Sequence, residues 1–334
     1  MTEGTMTLAA VEQLCLRALI SAGACEDNAA AVARSTMLAE RDGIRSHGLL
    51  YVPIYAEHVR CGKVDGKARP MVSQPRPGAV VVDAATGFAH PAIDAGWDRF
   101  IAAARLNGIA AMTVFNSYNC GVLGHHAERI AEAGLLGLCT THAPASIAPP
   151  GGRSPVIGTN PFALGVPDGA GGVALVLDQS ASVVAKSEVL LRSREGRPIE
   201  PGWAIDEQGA DTLDPAAALK GSMLPAGGHK GFGVGFLVEI LASCLAGAVL
   251  SKDASPFSGT SGGPPRTGQC FVAFDPSAFS TGFSHQVASL VDAIVRQGDV
   301  RLPGSGRQAA RRRTEREGVR VDADLVGRIE ALCR

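Results

Sequence analysis

The chain contains eight cysteines, at 15, 25, 61, 120, 139, 244, 270 and 333, yet no two of them stand as CxxC. No Cys/His group has the spacing of zinc ligands, so a structural zinc module is excluded. The adjacent His125 and His126 would point to different faces of a helix, and no metal site is expected. The cysteines read as small, reduced core residues of a cytoplasmic protein. Charge is sparse as well, at 19% of residues with a formal net charge of -1, so there is no basic footprint for nucleic acid. The one basic cluster, Arg311, Arg312 and Arg313, reads as a solvated helix face. Val234–Leu250, among the longest apolar runs, is interrupted by Glu239, and the acidic opening MTEGTMTLAAVEQL shows no cleavage signature. Neither a membrane nor a nucleic-acid partner is expected. Repeats and low-complexity tracts are lacking too.

What is there is a loop-rich globular composition: 46% hydrophobic residues, 41 glycines and 20 prolines in 334 residues. Leu8, Val11, Leu14, Ala18 and Leu19 keep helical spacing up to Gly23, and a second helix is expected from an Asp27 N-cap towards Asp42-Gly43. Residues 70–78, with Pro75 and Pro77, read as a connection. A β/α rhythm follows. Strands are expected at 79–83, 109–115, 135–141, 173–177 and 270–274. Helices are expected from Pro91 to Asn107, at 124–133, at 285–297 and at 322–333. The apolar stretch 231–248 reads as a buried central helix, and 253–267, rich in Gly, Ser and Pro, as a lid or interface loop. The expected class is α/β with helices packed on a sheet.

The dinucleotide fingerprint GxGxxG is missing, so a Rossmann domain cannot be argued. Three other loops are candidates for binding. NSYNCGVLG (116–124) leaves a strand and enters a helix, whose first N–H groups favour an anion such as pyrophosphate. Gly158-Thr159-Asn160-Pro161 precedes the Phe162–Val166 run. Gly227-Gly228-His229-Lys230-Gly231 puts a lysine at a helix start, where positive charge is unfavourable unless an anion is near. The sharpest local feature is Arg45-Ser46-His47-Gly48: an imidazole that can hold and release a proton near neutrality, a hydroxyl beside it, and a glycine that lets substrate approach.

These motifs, with Asp178-Gln179-Ser180-Ala181-Ser182 and Pro201-Gly202-Trp203-Ala204, occur in an order that resembles the malate/L-lactate dehydrogenase family, which is unrelated to the Rossmann enzymes. The resemblance runs from about residue 8 to 332 and is closest to the branch that reduces Δ1-piperideine-2-carboxylate and Δ1-pyrroline-2-carboxylate. It implies a non-Rossmann NAD(P)-binding fold with a mixed central sheet, and a helical domain formed by residues 1–78 and 285–334 around a cofactor domain at 79–284. It also implies a homodimer or higher homo-oligomer and a cofactor that is NADPH in preference to NADH. Carried over, His47 is the proton donor, with Ser46 and Glu188 completing a relay. Arg45, Tyr51, Lys186, Ser187 and His229 would face the substrate. Asn119, Cys120, Gly121, Val122, Leu123, Thr159, Asp178, Gln179, Ser180, His229, Lys230, Arg301, Pro303, Gly304 and Arg307 would face the cofactor, with Lys230 or Arg307 on a 2′-phosphate.

The sequence departs from the family in places. Tyr51 stands where an arginine usually clamps the substrate carboxylate, and a phenol cannot make that fork. Arg45 and His229 are then candidates to help. Asn119 stands where a histidine is usual, and Gln179-Ser180-Ala181-Ser182 where Met-Ala-Thr-Ser is common. An acid at 188 matches the imine-reducing branch: it would stabilise an iminium cation and repel a 2-keto acid, at about 4 kcal/mol for unit charges roughly 4 Å apart at an effective dielectric near 20. The alternatives are a 2-hydroxy-acid dehydrogenase acting on malate, lactate or ureidoglycolate, and, more remotely, a non-catalytic nucleotide-binding protein.

Overall fold

The computed structural model describes the chain from residue 3 to 334. Strand β1 (Glu3–Met6) leads into α1 (Leu8–Ser21), whose first turn is capped by the Thr7 hydroxyl, an acceptor for the Ala10 N–H. Helix α2 (Glu26–Arg41) starts one residue before the expected cap. Its N-cap is Cys25, and Glu26 and Asp27 in the first turn supply the charge that a helix start favours. Helix α3 (Val52–Arg60) follows. The 70–78 connection is instead a strand, β2 (Met71–Arg76), paired antiparallel with β3 (Ala79–Asp83). Its side chains are nearly all exposed and it lies at a sheet edge, where prolines are tolerated.

Helix α4 (Ala89–Asn107) begins two residues before Pro91 and ends on Gly108 in the left-handed conformation. Strand β4 (Ile109–Ser117), α5 (Leu123–Glu132), β5 (Leu136–Thr141), β6 (Phe162–Pro167) and β7 (Val173–Gln179) complete the first part of the sheet. Helix α6 (Lys186–Glu195), β8 (Ala204–Ile205), α7 (Pro215–Lys220) and β9 (Ser222–Met223) form a small annex around Ile147, Ile157, Val189, Ile199 and Met223. Helix α8 (His229–Glu239) continues as a π-helical segment, Ile240–Leu245. Then come β10 (Thr267–Phe274), α9 (Phe283–Val295), α10 (Ser305–Glu317), β11 (Val319–Asp322) and α11 (Ala323–Leu332).

The main sheet has the order β2-β3-β4-β10-β5-β6-β7. Only β3 and β4 run parallel, and every other neighbouring pair is antiparallel. A single β-α-β unit therefore sits in an antiparallel frame, which is why no Rossmann fingerprint could appear. Helices α4 and α5 cover one face and bury Ile93, Trp97, Phe100 and Ile130 against Val82, Met112 and Phe271. A buried side chain of this size stabilises the fold by about 1.5–3 kcal/mol. The π-helical segment crosses the opposite face, against β10, β4 and β5.

The expectation of a fully buried helix at 231–248 needs correction. Val238, Glu239, Ala242 and Ser243 are buried, but Val234, Phe236, Leu237, Ile240 and Leu245 are exposed. Apolar content alone does not say how many faces of a helix are covered. The chain ends close on themselves: β1 pairs with β11, and Val11, Leu14 and Cys15 pack with Val319, Leu325 and Ile329. The 253–267 loop is tied down by the buried Lys63, which donates to the Pro256 and Gly259 carbonyls, while Phe257 packs on Tyr118. No helix is long and apolar enough to cross a membrane, among the described residues.

Candidate active site

His47 lies in a short 3-10 turn, Arg45–His47, directly after α2. Its Nδ1 is 3.0 Å from the Ser46 hydroxyl, so the dyad expected from sequence is formed. The turn is held from behind by Glu40, whose buried carboxylate accepts the Leu49 N–H at 2.7 Å. Burial pushes the Glu40 carboxyl above its ordinary value. A Cβ on Gly48 would collide with the Glu40 side chain, so this glycine makes room for Glu40. The His47 ring is half-buried and parallel to Tyr51, with centroids 6.5 Å apart. Burial lowers its pKa, the Asp178 charge works in the opposite direction, and His125 adds to the lowering.

Tyr51 packs on Tyr55 at 4.7 Å, and Tyr55 reaches Asn119 with its hydroxyl at 3.4 Å. The His47 turn and the loop after β4 thus share an aromatic wall. In that loop the Asn119 carbonyl oxygen accepts the Gly121 N–H at 2.6 Å. Gly121 has φ +69°, and a Cβ there would strike Ser35 and His90, so only glycine fits. Cys120, Val122 and Leu123 are buried, which leaves backbone groups as their means of contact. His126 donates to the Cys120 carbonyl at 3.0 Å from below.

The first turn of α5 already has an anion on it. Asp178, at the end of β7, accepts the Gly124 N–H and one Arg307 Nη2–H, both at 2.9 Å. A Cβ on Gly124 would collide with both groups. The other terminal nitrogen of Arg307, Nη1, is buried with no partner. An orphaned guanidinium nitrogen at the start of a helix is what a dinucleotide's phosphates or ribose would satisfy, so the residues fit NAD(P). Gly304 caps α10 in the left-handed conformation, and a side chain there would meet the Val176 carbonyl. Arg301 and Pro303 are exposed next to it.

On the next loop, the Thr159 carbonyl accepts the Ala181 N–H at 2.8 Å, and the Ser180 and Ser182 hydroxyls are 2.9 Å apart. Gln179 is exposed. Beneath Thr159, the buried Asn160 donates to Glu239, whose carboxylate also accepts the Ser251 N–H; His142 Nδ1 meets the Ser251 hydroxyl at 3.2 Å. A lone acid in an apolar helix was the sequence signal for this network.

The remaining expected residues are less closely gathered. His229 and Lys230 are exposed on the first turn of α8, and Lys186 and Ser187 on that of α6. Arg45 is exposed and donates to the Arg320 carbonyl at 3.4 Å. The Glu188 carboxylate accepts from Arg192 at 3.2 Å, and the acid whose charge acts on His47 is Asp178. The basic triplet is a correction: Arg312 and Arg313 are exposed, but Arg311 is bound to Asp42 and Glu128. No local pattern could have revealed that pairing, since Asp42 and Arg311 stand 269 residues apart.

Residues 6–330 match the family model described as malate/L-lactate dehydrogenase. The chain belongs to the malate/L-lactate dehydrogenase family. It is an oxidoreductase with the family's NAD(P)-dependent fold, and the six-motif resemblance holds over its length. Two relatives from this family are the Δ1-pyrroline-2-carboxylate reductase of Ancylobacter novellus, 40% identical over 98% of this chain and 97% of the relative, and the (2R)-3-sulfolactate dehydrogenase (NADP(+)) of Chromohalobacter salexigens, 41% identical over 92% of each. The crystal structure of Δ1-piperideine-2-carboxylate reductase from Pseudomonas syringae superposes with a TM-score of 0.93, at 33% identity, covering 98% of this chain and 99% of the other.

Proposed function

We propose that the chain reduces cyclic imino acids, Δ1-pyrroline-2-carboxylate or Δ1-piperideine-2-carboxylate, to L-proline or L-pipecolate, with NADPH preferred to NADH. The observation that carries the reading is the half-buried Ser46–His47 dyad, held by Glu40 on one side and facing the field of Asp178 on the other. The likeness to reductases of both imines adds weight.

NADPH, when bound, supplies the hydride that goes to C2 of the imine. The chain's own residues do the rest. Ser46 fixes the His47 ring, and His47 holds the proton delivered to the ring nitrogen. Tyr51 and Tyr55 wall the site and exclude water. Arg307 would receive the dinucleotide at the turn that Gly121 and Gly124 shape, and Lys230 or Arg307 would meet a 2′-phosphate. Glu188 would complete the relay by leaving Arg192. That i,i+4 pair is a single contact at 3.2 Å and a weak hold on the carboxylate. A homodimer or higher oligomer is supported by the exposed apolar face of α8.

A second reading, a 2-hydroxy-acid dehydrogenase, is favoured by the sulfolactate relative and by the engagement of Glu188 with Arg192. Rates with the two cyclic imines, pyruvate, oxaloacetate and sulfopyruvate, each with NADPH and NADH, separate the two. The expected result is fastest turnover of an imine with NADPH. Faster turnover of a keto acid would replace the first reading by the second.

A further inference from the structure

Helix α10 has almost nothing apolar to hold it in place. Thr314 is its only buried residue, and its sequence, SGRQAARRRTERE, has only Ala309 and Ala310 as apolar side chains. Two arginines one turn apart fasten it instead. Arg307 binds Asp178. Arg311 donates to Asp42 through Nε and Nη2, at 2.9 and 2.8 Å, and to Glu128 through Nη1 and Nη2, both at 2.8 Å.

The partners of Arg311 are not scattered. Asp42 closes α2, five residues before His47, and its side chain is fully buried. Burial alone would raise the Asp42 carboxyl, yet hydrogen bonds from His125, Arg311 and Arg41 hold it well below the ordinary carboxylate range. Glu128 lies on α5, the helix that leaves the Asn119–Leu123 loop. One guanidinium therefore joins the helix leading to the proton donor, the helix leaving the nucleotide loop, and the helix that carries Arg307. A planar fork can serve two carboxylates at once, whereas an ammonium cannot reproduce that geometry.

We infer that Arg311 is a positioning residue for cofactor capture: it docks α10 so that the free nitrogen of Arg307 and the Gly304 turn meet the dinucleotide beside His47. The inference rests on the NAD(P) reading of the site. Arg311 touches neither cofactor nor substrate; it acts through Arg307.

The test is NADPH binding to the full-length protein, followed by the fluorescence of the reduced nicotinamide. Arg311→Met is expected to weaken NADPH binding by about tenfold, and Arg311→Lys to recover little of that loss. In an Arg307→Met background the same Arg311→Met change is expected to add almost nothing, because its route is already cut. An unchanged dissociation constant in Arg311→Met, or an undiminished loss in the Arg307→Met background, overturns the inference. If Arg311→Met does not fold, Glu128→Gln removes one acceptor and leaves Asp42. It should weaken binding by about threefold, and no change there is equally fatal. A wild-type chain that binds neither NADPH nor NADH overturns the cofactor reading itself, a result distinct from the others.

Discussion

Helices α4 and α10 flank the same site and are fixed by opposite means. Helix α4 buries Ile93, Trp97, Phe100, Ile101 and Ala104 against the sheet, whereas α10 buries only Thr314 and is held by Arg307 and Arg311. Apolar burial is non-directional and is not screened by salt as charges are. Ion pairs fix a direction, respond to pH, and weaken with ionic strength where they are exposed. The scaffold is thus built by the first means and the arm that carries Arg307 by the second. The His47 turn lies on the seam between them.

The seam is tested by His47→Ala, which should lower kcat by about 10²–10⁴-fold while leaving thermal unfolding nearly unchanged, because Glu40 and not His47 holds the turn. Near wild-type turnover would remove His47 from the chemistry. On the scaffold side, Phe100→Ala should cost about 3–5 kcal/mol of unfolding free energy, equally at low and high salt. A strong salt dependence of that loss would break the contrast.

The two regions should also titrate in different windows. Burial pushes His126 and His142 down to about 4 and His90 to about 3, from an ordinary 6.5. The unfolded chain takes up these protons first, so the stability they represent is present above pH 6.5 and lost as pH falls towards 4. The lowered Asp42 carboxyl contributes stability above its ordinary 3.8, and that share goes only as pH falls below it. Urea midpoints measured from pH 8 to 3.5 should decline through the first window, and His126→Gln should flatten the decline. A level profile above pH 4 would refute it. The smallest effect on stability is expected from Glu188→Gln, a barely measurable shift in the urea midpoint from the lost pair with Arg192. If its loss of imine turnover is also negligible, Glu188 is a surface residue and no more.

The strands buried on both faces were legible as apolar runs, and α4 as an amphipathic stripe closed by Gly108. Strand β2 was hidden because its exposed, proline-bearing edge carries no alternation. The place of β10 between β4 and β5 could not be read, because a period says that a strand exists and not which neighbours it takes. The site followed the same division. Contiguous motifs such as Arg45–Gly48 and Asn116–Gly124 announced their loops. The contacts that aim them, Glu40 behind Gly48, Asp178 on Gly124 and Arg311 on Asp42, join distant segments or swap an expected ligand for an internal carboxylate.

The pairing of β1 with β11 bears on how the protein is made. Residues 3–6 leave the ribosome more than 300 residues before Val319–Asp322, a wait on the order of 15–60 s at ~5–20 residues per second. Through that interval Val11 and Leu14 lack the Val319, Leu325 and Ile329 that cover them, and Arg45, beside the proton donor, lacks the Arg320 carbonyl. The nascent sheet can close once Phe274 has emerged, but the cover over Val11 and Leu14 comes only with Val319 to Ile329. A truncation or stall near residue 315 would yield a chain with a complete main sheet and a sticky opening helix pair.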